Sequence, residues 1–268
     1  MPTLRHLPST PLAAKVPAVT VLFWVIKLLT TGMGEAASDW LGGVNLALAG
    51  VVGAGGLGLA LAIQLRTRRY VAAAYWLAVA MVAVFGTMLA DALHVGVGVP
   101  YVVSTLFWGC VVTVLFWRWR RSEGTLSIHS ITTTRRELFY WSTVLATFAL
   151  GTAAGDFTAT ELGLGFGASA VLFGVVMLLP ALGWTRFEMN SVLAFWLAYV
   201  LTRPLGASIA DWLGKPHSLG SGLGFGDGVV TAVASALIIV LVAAVSATRS
   251  DVQRPADDLR APDATVRC

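Results

Sequence analysis

One interval recurs four times in this chain: Trp24 precedes Asp39 by 15 residues, and the same distance separates Trp76 from Asp91, Trp141 from Asp156 and Trp196 from Asp211. Each Trp follows another aromatic residue, in Phe23-Trp24, Tyr75-Trp76, Tyr140-Trp141 and Phe195-Trp196. Each Asp follows a glycine by five residues, at Gly34, Gly86, Gly151 and Gly206. A register held at so many points marks a tandem repeat, whose unit buries its face against its own copies. A glycine-rich connection comes after the Asp, clearest in Gly163-Leu164-Gly165-Phe166-Gly167 and Gly222-Leu223-Gly224-Phe225-Gly226.

The solvent of this repeat is lipid. Of 268 residues, 57% are hydrophobic and only 12% charged, half the share a water-facing domain carries, and the mean hydropathy is +0.78. About 20 helical residues cross a bilayer core. That ruler predicts spans at 17–41, 44–65, 70–94, 99–117, 138–160, 164–183, 190–213 and 228–247. The expected fold is an all-α polytopic membrane protein with eight transmembrane helices, two to a repeat. Its repeats cover 17–69, 70–121, 138–187 and 188–248. A start at 1–16, a loop at 122–137 and a disordered tail at 249–268, rich in charge and holding Pro255 and Pro262, complete the chain. Two spans per unit make every copy enter the bilayer in one direction, so the repeats are parallel, with pseudo-symmetry along the membrane normal.

Fifteen of the 18 Lys and Arg fall on one side, from Arg5 and Lys15 through Arg66, Arg68, Arg69 and the run Arg118 to Arg136 to Arg186 and the tail. Lys215 lies opposite, and Lys27 and Arg203 fall inside spans. The bias puts both termini in the cytoplasm. A cleaved signal peptide ending near Glu35-Ala36-Ala37 is not expected, because Lys27 interrupts its apolar stretch and the stretch belongs to the repeat. The formal charge of +4 is scattered over short loops and does not point to nucleic acid. Cys110 and Cys268 are too few for a disulfide framework.

With the four Trp and four Asp in this register, residues 17 to about 247 resemble a family of bacterial multi-pass membrane proteins built from four tandem two-helix repeats of unknown function. The resemblance implies two spans and a characteristic tryptophan per repeat, a role for Trp24, Trp76, Trp141 and Trp196, and a place in the bacterial inner membrane. It implies no activity.

Residues four apart share a helix face. Stepping back from each Asp gives Lys27, Thr31, Glu35 and Asp39; Val79, Ala83, Thr87 and Asp91; Val144, Phe148, Thr152 and Asp156; and Tyr199, Arg203, Ala207 and Asp211. Ionisable groups within spans face a bundle interior or a wet cavity, so these stripes are expected to point inward. Glu35, Asp39, Asp91, Asp156 and Asp211 against Lys27 and Arg203 leave three surplus negative charges if all are ionised. That balance suits a cation, and carboxylate and hydroxyl oxygens suit a hard one, Mg²⁺, Ca²⁺, Mn²⁺ or a proton. The expected partners are the bilayer and a small cation, with Lys27 and Arg203 as charge-balancing gates and no covalent cofactor. The competing expectation is a scaffold or sensor partner in which each Asp caps a neighbouring helix or bonds the glycine-rich loop.

Weaker features complete the reading. Pro204 after Arg203 predicts a break in that span. His94 is either a ligand or a solvated residue, His217 is a solvated loop residue, and Glu161 and Asp227 are outer-loop acids. Gly50, Gly53, Gly55, Gly56 and Gly58 are expected to let helices approach. Trp117 and Trp119 are expected at the interface. No hydrolase, haem or nucleotide motif is present, so no enzymatic activity is expected.

Overall fold

The computed structural model describes residues 14–219 and 221–253. Arg5, His6 and residues 254–268, with Pro255, Pro262 and Cys268, lie outside them. Eight α-helices are found among the described residues: α1 (Val21–Val44), α2 (Leu46–Arg66), α3 (Ala72–Asp91), α4 (Tyr101–Glu123), α5 (Thr134–Asp156), α6 (Gly165–Arg186), α7 (Ser191–Gly214) and α8 (Asp227–Thr248). Among these residues there is no strand. Seven helical segments are long and apolar enough to cross a membrane; α1, carrying Lys27, Glu35 and Asp39, is not among them.

Local chemistry sets the helix ends. One residue, Asn45, separates α1 from α2: its extended backbone stops the first helix, its N–H donates to the Leu41 carbonyl, and its Oδ1 accepts from Leu48 N. Thr20, Thr133 and Asn190 accept from the first turns of α1, α5 and α7 in the same way, the usual remedy for unpaired N–H groups at a helix start. Gly124, at φ 72°, closes α4.

The odd helices form an inner ring, in which α1 packs on α3, α3 on α5, α5 on α7 and α7 back on α1. Each even helix packs mainly on the odd helix of the next repeat: α2 on α3, α4 on α5, α6 on α7, and α8 on α1. The two layers differ in burial as a ring and its sheath should. Of α3, twelve residues are buried; of α8, only Ile238 and Val245. The outward faces carry exposed apolar residues such as Val51, Leu59, Leu106, Val171, Leu179 and Ile239, a surface that water disfavours and acyl chains accept.

The repeat signature is the fastening of that ring. A Cβ added to Gly34 would lie 2.8 Å from the carbonyl carbon of Ala83; one on Gly86 would strike the Phe148 side chain; one on Gly151 would lie 3.1 Å from Cα of Arg203; and one on Gly206 would lie 2.5 Å from Cγ2 of Thr31. Ala83, Phe148, Arg203 and Thr31 each stand three residues before the glycine of their own helix, so one contact recurs around the circle. The aromatic pairs behave likewise. Phe23 touches Trp76 at 5.7 Å between ring centroids, Tyr75 touches Trp141 at 5.6 Å, Tyr140 touches Trp196 at 6.1 Å, and Phe195 touches Trp24 at 5.8 Å. The first aromatic of each pair meets the Trp of the next helix, and together they seal one end of the ring.

Both ends of the described chain gather at that sealed end. Ala18 N donates to the Asp251 carbonyl at 2.7 Å, Gln253 Nε2 donates to Val16 O at 3.1 Å, and Tyr70 OH donates to Asp251 Oδ2. At the start of the expected disordered tail, Asp251 is buried and Gln253 half-buried, while Arg249, Ser250 and Val252 stay exposed. Lys15 Nζ reaches Glu137 Oε2 at 2.7 Å, while Gln64 Nε2 donates to Oε1 of the same Glu at 3.0 Å.

One local expectation is overturned and two hold only in part. α7 runs unbroken through Pro204: a proline removes one N–H, and the seating of Arg203 on Gly151 holds the backbone helical. In α2 only Gly53 and Gly56 meet a neighbour, the side chains of Met88 and Met81, whereas Gly50, Gly55 and Gly58 face open space. Trp119 is fully buried against Phe139 and Trp196, leaving Trp117 as the exposed ring.

Candidate cation site

All four inward stripes reach the interior of the ring. Lys27, Val79, Val144 and Tyr199 form the layer next to the aromatic seal. Thr31, Ala83, Phe148 and Arg203 lie above them, then Glu35, Thr87, Thr152 and Ala207. The four Asp crown the column, furthest from the aromatic seal. There Glu35, Asp39, Asp91, Asp156, Asp211 and Lys215 line one cavity of about 840 Å³.

Within this wall Glu35, Asp39 and Asp211 converge, each offering an oxygen, with the three oxygens within 4.8 Å of one another. Two ionised carboxylates at that separation repel by about 3 kcal/mol at an effective dielectric of about 20, so such a group calls for a cation or for protons. Glu35 is held by its layer: Thr87 Oγ1 donates to its Oε2 at 2.9 Å and Thr152 Oγ1 at 2.8 Å. Asp39 Oδ2 accepts from Lys215 Nζ at 2.5 Å, and the same amine reaches Asp227 Oδ2 at 3.2 Å. No donor of the described residues reaches the carboxylates of Asp91, Asp156 or Asp211.

The positive partner of this wall is not the one expected. Lys27 Nζ sits 4.0 Å from the Tyr199 ring centroid and 4.4 Å from that of Phe148, and the Arg203 guanidinium stacks on Phe148. Among the described residues neither Lys27 Nζ nor Nε and Nη2 of Arg203 has a hydrogen-bond partner. Helical rise separates both from the Asp crown: Lys27 is 12 residues, about 18 Å, below Asp39, and Arg203, one layer beneath Glu35, is about 12 Å below Asp211. The balancing charge is Lys215, expected only as an outer-loop residue. Burial pulls its amine down, but Asp39 and Asp211 outweigh burial and hold it above the usual lysine range, so it stays charged.

The glycine-rich run of the fourth repeat positions this lysine. Leu223, Gly224, Phe225 and Gly226 fold back so that their N–H groups donate to carbonyls of Trp212, Lys215, Leu213 and Gly214. Gly222 lies so close to the Lys215 carbonyl that any Cβ would overlap it, and Gly224 and Gly226 adopt φ 77° and 86°, which only glycine takes freely. A loop that looks like a spacer is thus a template for the last turn of α7.

The repeats are not alike where they end. α3 and α5 pass directly after Asp91 and Asp156 into single π-helical turns, Ala92–Gly96 and Phe157–Glu161, a geometry that concentrates at working sites. His94 stacks on Tyr101 and bonds the Val99 carbonyl at 2.7 Å, and Glu161 accepts from Tyr101 N at 2.9 Å. Both therefore shape the start of α4 and stand outside the triad. The four repeat Asp cap no helix among the described residues; Asn45 and Glu161 take that part.

Residues 22–70, 74–125, 139–190 and 194–251 match the model of a family described as Repeat of Unknown Function (DUF347). The chain belongs to this family. Each matched DUF347 repeat spans one inner helix and the outer helix after it, with its Trp, its glycine and its Asp. No curated protein and no solved structure matches the chain.

Proposed function

We propose that this protein carries a small cation across the bacterial inner membrane, by a non-catalytic passage through the carboxylate-lined cavity. In this reading α1 spans the bilayer with the seven more apolar segments, giving eight transmembrane helices. A pseudo-fourfold axis runs along the membrane normal, and both termini are cytoplasmic. The recurring glycine and aromatic contacts support the axis, and the basic bias of the sealed end supports the orientation.

The observation that carries the proposal is the convergence of Glu35, Asp39 and Asp211, from the first and last inner helices, on one cavity. Ionisable groups inside membrane spans are rare and commonly mark ion or proton pathways. The test is uptake of Mg²⁺, Mn²⁺, Ca²⁺, protons and alkylammonium ions into proteoliposomes by the wild type and by Glu35→Gln. Uptake above empty liposomes that falls at least tenfold in the variant is expected. Equal uptake by both, or none by the wild type, overturns the proposal.

A second reading has its own observation. Glu35 ties α1 to α3 and α5 through Thr87 and Thr152, as a scaffold acid would. If that were its whole role, Glu35→Gln would lower the unfolding temperature and no cation would raise it.

A further inference from the structure

Resting on the cation-carrying reading, we propose that the cavity takes an organic ammonium ion with an apolar body, not a bare metal ion. Size is the first argument. A divalent ion with six waters fills about 200 Å³, at roughly 30 Å³ per water. The cavity holds about 840 Å³, within the range of sites for organic ligands, roughly 300–1,000 Å³.

The lining is the second. Beside the acids the cavity is lined by Phe85, Met88, Leu89 and Tyr101, and by Val95 and Val97, which are 78% and 73% exposed. The waters of a hydrated metal would find no hydrogen-bond acceptors in those side chains apart from the Tyr101 hydroxyl, and burying them there is unfavourable. A methylene chain or a ring would be at home among these apolar side chains. The lining is part acidic and part greasy, which is the complement of an amphipathic amine.

The third argument is Asp211. Its carboxylate is 4% exposed, lines the cavity, and receives no donor from the described residues. Its oxygens face the cavity, where a carboxylate accepts from any donor that enters. A primary ammonium carries three N–H donors, and three oxygens each bonded to it at about 2.8 Å stand about 4.6 Å apart. The triad of Glu35, Asp39 and Asp211 allows that spacing. The same wall already binds an alkylammonium of the protein's own: the Lys215 side chain, laid between Asp39 and Asp227.

The experiment is calorimetric titration of the full chain in lipid nanodiscs with 2-phenylethylamine hydrochloride, methylamine hydrochloride, MgCl₂ and MnCl₂. The expected result is saturable binding of phenylethylammonium at least tenfold tighter than methylammonium, unaffected by 1 mM of either metal salt. Asp211→Asn should weaken it at least tenfold, and Met88→Ala, which removes wall and no charge, should narrow its advantage over methylammonium severalfold. Each variant is compared at an unfolding temperature above that of the titration; if Asp211→Asn does not fold, Met88→Ala carries the comparison. Binding of metal salts that displaces the amine, or equal affinity for the two amines, overturns the organic-ligand inference and leaves cation carriage standing. No binding of any of the four overturns both.

Discussion

Gly206 of α7 is seated on Thr31 of α1, and through this one contact the last repeat closes on the first. A side chain at Gly206 would have to displace Thr31 or part the two helices. Gly206→Val should therefore destabilise the protein by about 1–3 kcal/mol, the cost of overfilling a packed site. Gly34→Val, facing the backbone of Ala83, should be worse. Gly50→Ala and Gly58→Ala, which meet nothing, should be neutral or stabilising by up to about 1 kcal/mol through helix propensity. Thermal unfolding in one detergent would rank all four, and a Gly58→Ala loss as large as that of Gly206→Val would contradict the ring.

Glu35 depends on two hydroxyls that have no other carboxylate to serve. Thr152→Val, which keeps the shape and removes the donor, should cost about 1.5–3 kcal/mol, the range for a hydrogen bond to a charged group. Thr87→Val should cost a similar amount. Because Thr87 and Thr152 share one oxygen and lie 3.2 Å apart, their losses should not add. A double-mutant cycle measured by unfolding temperature checks this, and strict additivity would argue against a shared acceptor.

Lys215 makes a pH prediction. Its amine is held above the usual lysine range in the folded protein, so protonation is favoured by folding. Its contribution is fully present below the unfolded pKa, about 10.4, and is lost as pH rises through the higher folded value. The unfolding temperature of Lys215→Met should lie below that of the wild type at pH 8, and the gap should shrink as pH climbs beyond about 10.5. A gap that grows across that window would assign the lysine another role.

At the sealed end, Lys15 and Glu137 form a pair with side chains 9% and 1% exposed. Removing one partner of a buried pair costs about 3–5 kcal/mol, whereas replacing both with apolar residues is far milder. Lys15→Met and Glu137→Met should each destabilise strongly, and the double variant should be more stable than either. Unfolding of the three in parallel tests it. A double variant weaker than both would show that the bonds from Gln64 to Glu137 and from Lys15 Nζ to the Leu65 carbonyl, 3.3 Å away, matter more than the charge pair.

The sequence alone carried the all-helical, membrane-like fold and the four repeats, because period and hydropathy are local properties. It also carried the inward stripes: counting back by fours from Asp39, Asp91, Asp156 and Asp211 names twelve residues beneath them that are all buried. The reason for each paired aromatic and each glycine was not legible, since it lies in the neighbouring repeat. Lys215 was missed for the same reason. Its partner Asp39 is 176 residues away, and only the closure of the ring brings a loop of the fourth repeat over the first. Pro204 misled because a preference for extended backbone at Arg203 is small beside the packing on Gly151.

The even helices lean on the next repeat and not on their own, and α8 leans on α1. During synthesis, then, α1 waits for both its sheath and its ring: until residues 191–214 emerge, its inward face, with Lys27, Glu35 and Asp39, lacks the α7 wall that closes over it. A chain stalled after the third repeat is an open horseshoe, with its acids unsheltered and its seal missing a quarter. Quality control of this protein's biogenesis would need to read no more than that single unclosed seam.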